Sequence, residues 1–353
     1  MTLPVRAGLD GLADYHSPQV SVEVRLNTNE SPYPPPAGWR EAFLQELQTV
    51  SFHRYPDRGA AALRGAIAEL HGVPPAQIFA ANGSNEVIQA LCLAYGGPTR
   101  TAVVFEPTYA LHAHIARLTG TEVVTGARDA NFVLDPAEAE RTISAARPAV
   151  TFLCSPNNPT GMVDAPDVLD AARAATDAGL VIVDEAYGQF ASQSAIDDVA
   201  DDGNLVVTRT FSKTWSMAAL RLGYCVAPAE VVAALDRVIL PYHLDVVQQI
   251  AGRLALRYKP EMEARVAMLV DERGRLVRAL SDLAVDVWPS GANFVLFRPR
   301  AGSGTDIWEA LVARSVLVRN CSTWAALDGC LRVTVGTPAE DDAFLEALAE
   351  VLG

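Results

Sequence analysis

Nowhere in the 353 residues do eighteen apolar residues run unbroken, and the opening stretch MTLPVRAGLDGLADYHSPQ holds no apolar signal core. A membrane-spanning helix needs about 20 such residues, so a cytoplasmic protein is expected. Cysteine is sparse: the five residues, at 92, 154, 225, 321 and 330, are odd in number, scattered and without a C-x-x-C pair. This pattern argues against a disulfide framework and leaves reduced, mostly buried thiols. Histidine is also scarce, with only His112 and His114 close together among six. Two residues apart on a helix they point in different directions, so no metal site is expected. Basic residues are outnumbered 42 to 28, for a formal charge of -14. That balance disfavours nucleic acid and anionic membranes as partners, and an anionic substrate would have to meet locally concentrated arginine.

What is abundant is apolar: half the residues, against one fifth charged, the balance of a folded enzyme. Short β-rich runs recur at 101–106, 122–127, 149–154, 179–185, 204–211 and 223–228, separated by amphipathic stretches such as NEVIQALCLAY and APDVLDAARAATDAG. The alternation predicts an α/β fold with a mainly parallel sheet sandwiched by helices. Toward the C-terminus the pattern changes. A charged helical stretch near 260–283 precedes the strand candidates ANFVLFRP, VLVRN and CLRVTVGT and a closing helix AEDDAFLEALAEVL, which predicts a smaller α+β domain. The proline-rich NESPYPPPAG near residue 30 reads as an extended arm between the two parts. The expected organisation is an arm over 1–38, a large domain over 39–240 and a small domain over 241–353.

In open α/β sheets ligands sit beyond the carboxyl ends of the strands, so the residues following each strand carry the chemistry. Asp184 and Tyr187 follow one candidate strand, SPNNPTG follows another, and Thr210, Ser212 and Lys213 follow a third. Lys213 is one of few lysines, and VTRTFSKTWSMAALRLGY surrounds it with hydroxyls and places Arg221 eight residues on. Gly83, Ser84 and Asn85 precede the helix at NEVIQAL, where backbone N–H groups can receive an anion. One ligand would satisfy all of them. A phosphate would rest on residues 83–85, Thr210, Ser212 and Arg221, and Tyr109 would stack on a flat ring. Asp184 would hold a ring nitrogen protonated, an asparagine and Tyr187 would bond a ring oxygen, and Lys213 would form a Schiff base with an aldehyde. Those features describe pyridoxal 5′-phosphate.

The motifs SPNNPTG, VDEAY, TRTFSKTWSMAALRLG and LRVTVGT resemble those of the fold-type I pyridoxal phosphate aminotransferases over nearly the whole chain. The sequence looks closest to the histidinol-phosphate branch, through RLNTNESP, HRYPD, LPYHL and an arginine, Arg319, thirteen residues before Arg332. The resemblance implies a homodimer with shared active sites, Tyr55 reaching the cofactor phosphate of the neighbouring subunit. It places Asn158, and not Asn157, on the ring oxygen, and Arg332 on the substrate carboxylate. Tyr15, Asn29, Tyr242 and Arg319 fall among the substrate-binding positions, Tyr15 and Arg319 near the phosphate. The implied reaction takes an amino group from histidinol phosphate to 2-oxoglutarate, with Lys213, Asp184 and Tyr109 at the catalytic centre. An aromatic amino acid aminotransferase is the alternative. Lys213 must be uncharged to react, and Arg221 with the ring's positive charge is expected to lower its pKa.

Asn85 stands where the family often has Asp, and Thr214 and Trp215 replace the residues common after the lysine. Other chemistries on this fold, decarboxylation or lyase reactions, fit the paired arginines less well. A ligand sensor fused to a DNA-binding segment would need a helix-turn-helix before residue 40 and a less acidic chain. A serine hydrolase of the S-x-x-K type would need serine where Thr210 stands.

Overall fold

The computed structural model describes Arg6, Leu9 and residues 19–353. Among the described residues twelve strands follow in chain order: β1 Val24–Leu26, β2 Ile78–Ala81, β3 Thr101–Glu106, β4 Glu122–Ala127, β5 Val150–Cys154 and β6 Leu180–Asp184. Then come β7 Leu205–Thr210, β8 Gly223–Val226, β9 Val285–Val287, β10 Phe294–Pro299, β11 Val316–Asn320 and β12 Leu331–Thr334. Seven of them form one sheet in the order β2-β8-β7-β6-β5-β3-β4, and five a second in the order β1-β11-β12-β10-β9.

The large sheet is parallel from β4 through β7, and β8 runs antiparallel to both of its neighbours. Its strands are apolar on both faces because helices cover both. Alternate residues along one strand enter different cores: Val181 and Val183 pack with Val207 and Phe105 on one side. Leu180 and Ile182 pack with Val206 and Phe152 on the other. The six strand candidates of this sheet all form, most of them a residue or two shorter than expected.

The small sheet has its own core, in which Phe294, Phe297, Val318, Val333 and Phe344 are buried. Against it lies the 23-residue helix Lys259–Ser281, whose buried Met262, Leu269, Leu276 and Leu280 recur at the spacing of one helical face. The closing helix Pro338–Leu352 starts in a reciprocal capping box: Thr337 Oγ1 accepts from the Glu340 N–H, and the Glu340 carboxylate accepts from the Thr337 N–H. Residues 27–36 leave β1 and cross to the end of the large sheet without regular structure. There the Ser216 hydroxyl donates to Ser31 Oγ at 2.9 Å, tying the arm to the segment that carries Lys213.

Among the described residues no helix is long and apolar enough to cross a membrane. All five cysteines are free and buried.

Candidate active site

A cavity of about 250 Å³ opens where the carboxyl ends of β5, β6 and β7 meet the arm and the small sheet. It gathers most of the residues singled out in the sequence, and they divide into three groups.

The first group is built for an anion. The helix Ser84–Tyr95 begins without any side-chain cap, so its first N–H groups face the cavity uncapped. Gly83 before it has a left-handed φ of 81°, and a Cβ there would stand 2.7 Å from Arg221 Nη2. A Cβ on Gly223 would fall 2.2 Å from the Ser84 nitrogen. Only glycine lets the guanidinium and the helix start approach so closely. Arg221 Nη1 donates to Ser212 Oγ at 3.2 Å, and the Ser212 N–H donates to Thr210 Oγ1 at 3.1 Å. Positive charge, hydroxyls and uncapped amides thus share one corner of the cavity, and that donor set fits a phosphate monoester.

The second group surrounds a flat space. Asp184, at the end of β6, is 2% exposed, and its Oδ1 accepts from the Ala186 N–H at 3.0 Å and the Thr208 hydroxyl at 3.3 Å. Its Oδ2 lies 2.9 Å from His112 Nε2. A carboxylate only accepts, so the geometry assigns the proton of that pair to Nε2. The His112 ring stacks on Phe152 at 4.8 Å and meets Tyr109 edge-on at 5.3 Å. The Tyr109 hydroxyl donates to Asn85 Oδ1 at 3.2 Å, so the asparagine that replaces a common aspartate serves the aromatic wall with its side chain. Tyr187 is buried, with its hydroxyl oxygen accepting from Asn29 Nδ2 at 2.9 Å. Burial pushes its pKa up to about 12 against the pull of Arg332, which keeps it a hydroxyl donor.

Lys213 stands between this group and the third. Its Nζ donates to the Thr28 carbonyl oxygen at 3.0 Å and lies 5.6 Å from the centre of the Tyr187 ring. Burial lowers its pKa to about 7, with Arg332 and Arg221 adding to the shift and Glu30 opposing it. The sequence-based expectation named Arg221 and the ring of the cofactor as the cause. Arg221 does lower it, but burial comes first, because the arm closes over the amine, and Arg332 contributes more than Arg221.

The third group is a pair of arginines. β11 and β12 pair antiparallel with Arg319 directly opposite Arg332, and both are at least nine-tenths buried. Arg332 donates from Nη1 to Asn158 Oδ1 and from Nη2 to the Asn27 carbonyl, while its Nε is buried with no hydrogen-bond partner among the described residues. The two guanidiniums line one cavity and concentrate positive charge there, the setting an anionic substrate group would meet.

Asn157 and Asn158 take different places. Asn158 lines the cavity, whereas Asn157 is fully buried and braces the turn through Thr108, Thr160 and the Pro107 carbonyl. Asn29 is fixed by the small sheet, its N–H donating to Thr334 Oγ1 at 2.9 Å. Tyr55 and Tyr242 stand apart from the cavity: 80% and 41% exposed, they stack on each other at 4.5 Å. Tyr15 lies outside the described residues. Thr214, after the lysine, donates to Gln189 Oε1 at 2.7 Å, and Trp215 packs into the core against Phe211. Cys154 also lines the cavity, but burial raises its pKa above the ordinary thiol value, which makes it a poor nucleophile. Among the described residues no group of histidines, cysteines and carboxylates is arranged to hold a metal.

Two cavity neighbours escaped the sequence reading. His112 was weighed only as half of a metal pair. Its place three residues after Tyr109, on the same face of the helix Ala110–Leu118, was the available signal. Trp324 lies in the loop between β11 and β12 and lines the cavity, and nothing in its neighbouring residues marks it.

Residues 21–348 match the family described as aminotransferase class I and II. A histidinol-phosphate aminotransferase from Frankia casuarinae is 44% identical over 364 aligned residues, covering 99% of this chain and 90% of the relative. The crystal structure of a putative histidinol-phosphate aminotransferase from Erwinia carotovora atroseptica superimposes with a TM-score of 0.85 at 26% identity, over 93% of this chain and 95% of that one. The same fold is seen in the histidinol-phosphate aminotransferase of Sinorhizobium meliloti, solved in complex with pyridoxal 5′-phosphate, with a TM-score of 0.85 at 23% identity over 94% and 91% of the two chains. By sequence and by fold, this chain belongs to the class I and II aminotransferases.

Proposed function

We propose that the protein transfers the amino group of L-histidinol phosphate to 2-oxoglutarate, giving imidazole-acetol phosphate and L-glutamate in histidine biosynthesis, with pyridoxal 5′-phosphate as cofactor. The observation that carries the reading is the pair Arg319 and Arg332, buried in register and lining the same cavity as Lys213 and the uncapped helix start. One anion site would serve the cofactor and a second the substrate. The cofactor, when bound, supplies an aldehyde that exchanges amines and a ring that draws electrons from the substrate.

The remaining steps belong to the chain. The residues at 83–85 with Thr210, Ser212 and Arg221 bind the cofactor phosphate, and Tyr109 covers the face of its ring. Asp184, braced by His112, holds a proton on the ring nitrogen. Asn158 and Tyr187 orient the ring oxygen. Lys213 Nζ, its pKa lowered to about 7, takes the proton from the donor's Cα in its uncharged form. Asn29 and Arg332 position the donor, and Arg319 receives its phosphate. The division into an arm over 1–38, a cofactor-binding domain over 39–240 and a small domain over 241–353 belongs to the same reading.

Arg319→Gln tests the substrate. A desolvated arginine–phosphate contact contributes about 1.5–3 kcal/mol, or roughly one to two powers of ten in kcat/KM. The expected result is a loss of that size for histidinol phosphate, with phenylalanine and 2-oxoglutarate, anchored at Arg332, losing less. The ratio of kcat/KM for the two amino donors is the measurement. An unchanged ratio removes the phosphate clamp and puts an aromatic amino acid aminotransferase in its place.

The protein is further proposed to be a homodimer in which Tyr55 completes the cofactor phosphate site of the partner, with Tyr242 beside it. The exposure of both rings, away from the cavity of their own chain, supports this. Mixing Lys213→Ala with Tyr55→Phe protein under subunit exchange produces heterodimers with one undamaged site. Activity is expected to rise above that of either parent, and exchange without recovery would place Tyr55 outside the partner's site.

A further inference from the structure

One guanidinium reaches from the long helix against the small sheet to the segment that carries Lys213. Arg265 lies half-buried on the helix Lys259–Ser281, and its Nη1 donates to Ser216 Oγ at 2.8 Å. Glu261 stands four residues before it, at the spacing of an ion pair along a helix, yet the guanidinium turns to the serine. Burial lowers the pKa of Arg265 with no carboxylate opposing the shift, and the Tyr33 ring lies 6.0 Å from its guanidinium carbon. A cation has been drawn partly out of water toward two residues, one on the arm and one on the lysine's own turn.

An arginine only donates, which fixes the direction of the bonds that follow. Ser216 Oγ accepts from Arg265, so its own proton goes to Ser31 Oγ at 2.9 Å. The Ser31 hydroxyl donates in turn to the Tyr33 carbonyl at 3.1 Å, and its oxygen accepts from the Tyr33 N–H at 3.3 Å. The run of bonds therefore starts at a charge on the long helix and ends in the arm, and each hydroxyl is polarised by the one before it. Ser216 is held at a cost. Its φ of 58° lies in the left-handed region that glycine enters freely and a residue with a Cβ rarely does. Its N–H donates to the Lys213 carbonyl at 3.2 Å. Nearby, the arm's Thr28 carbonyl accepts from Lys213 Nζ at 3.0 Å.

We infer that Arg265 is a positioning residue for Lys213: through Ser216 and Ser31 it holds the arm shut over the amine and keeps water from it. The inference rests on Lys213 as the reacting amine of the function proposed above and adds the group that keeps that amine enclosed.

Three substitutions test it. Arg265→Leu removes the donor and keeps apolar bulk, and Arg265→Lys keeps a charged donor. Ser216→Gly removes the hydroxyl at a backbone position that suits glycine. The arm and the amine are read separately. In SPYPPP, residues 31–36, only Ser31 and Tyr33 carry a backbone N–H, so deuterium uptake by that stretch in the cofactor-loaded protein reports the tie between them. In the cofactor-free protein acetic anhydride labels lysine, and the sequence has only two, Lys213 and the exposed Lys259, which serves as internal standard. Losing a hydrogen bond to a charged group shifts an equilibrium by about tenfold or more. Arg265→Leu and Ser216→Gly are each expected to speed uptake in the arm, and labelling of Lys213 relative to Lys259, by about tenfold. Their combination is expected to stay within about twofold of either alone, because the two side chains act as one unit. Arg265→Lys is expected within about threefold of the wild type. Thermal unfolding checks the fold. A labelling ratio that does not move in Arg265→Leu or Ser216→Gly overturns the inference, even where the arm exchanges faster. So does an additive double variant, or a lysine variant that behaves like the leucine one. If Arg265→Leu does not fold, Ser216→Gly decides alone. Turnover retained by Lys213→Ala would instead overturn the choice of reacting amine and leave the labelling result standing, so the two failures are distinct.

Discussion

Lys213→Ala is expected to lower amino transfer by several orders of magnitude while leaving a folded protein that still binds pyridoxal phosphate weakly. The substitution removes the nucleophile and the base at the donor's Cα together, and groups that act as one unit are lost as one. The anion corner at Gly83, Ser212 and Arg221 is untouched, so cofactor affinity falls without vanishing. A second readout needs no turnover. Buried in the cofactor-free protein, Lys213 has its pKa lowered to about 7 from an ordinary 10.5. Between those values the unfolded chain binds the extra proton, so this group's cost to stability is full below about pH 7 and fades as pH rises toward 10.5. Cofactor-free Lys213→Ala should therefore exceed the wild type in Tm by more at pH 6 than at pH 9. Near wild-type turnover in the variant would remove Lys213 from the chemistry. A Tm difference that does not change with pH would remove the buried, uncharged amine.

Asp184→Ala is expected to follow in severity. Losing one preorganised electrostatic contact at a reacting centre costs on the order of 10²–10³ in rate. Here the contact is the carboxylate that keeps a proton on the cofactor's ring nitrogen, so the first half-reaction should slow by about that factor. Cofactor affinity, anchored at the phosphate, should weaken far less. The alanine variant also strands the donors of His112, Thr208 and Ala186 that converge on this carboxylate, which lowers stability. Asp184→Asn separates the two effects. Its amide fills the same space and still accepts two of those bonds, so it should regain Tm without regaining rate. Half-reaction rates and cofactor Kd decide the matter, and equal losses of rate and affinity would make Asp184 a structural residue only.

The large sheet was legible because its strands are runs such as VIVD and LVVT, too apolar for solvent and too rich in β-branched residues for helix. β2 was not: IFAA is four residues long, buried throughout and without alternation, so its period carries no information. β1 and β9, three residues each, are strands only by virtue of their partners β11 and β10. The same contrast runs through the site. Its cofactor end sits in short turns directly after strands, where chemistry and sequence are adjacent. The substrate end depends on register. Thirteen residues separate Arg319 from Arg332, and only the pairing of β11 with β12 sets them face to face. Trp324 and His112 join the site through a neighbour in space, Arg319 for one and Asp184 for the other, and spacing along the chain does not reveal such neighbours.

The opposed guanidiniums of β11 and β12 also make this sheet a place where durability and function pull apart. A leucine in place of either arginine would suit the aromatic neighbours Trp324 and Phe294 and remove a buried charge, so a search for thermostable variants would tend to select inactive ones. The same pair gives the protein a memory of its solvent. Any dianion that settles between the two side chains favours the folded state in proportion to its occupancy. Phosphate or sulfate in a purification buffer would thus do two things at once, lengthening the life of the enzyme and occupying the seat of its substrate.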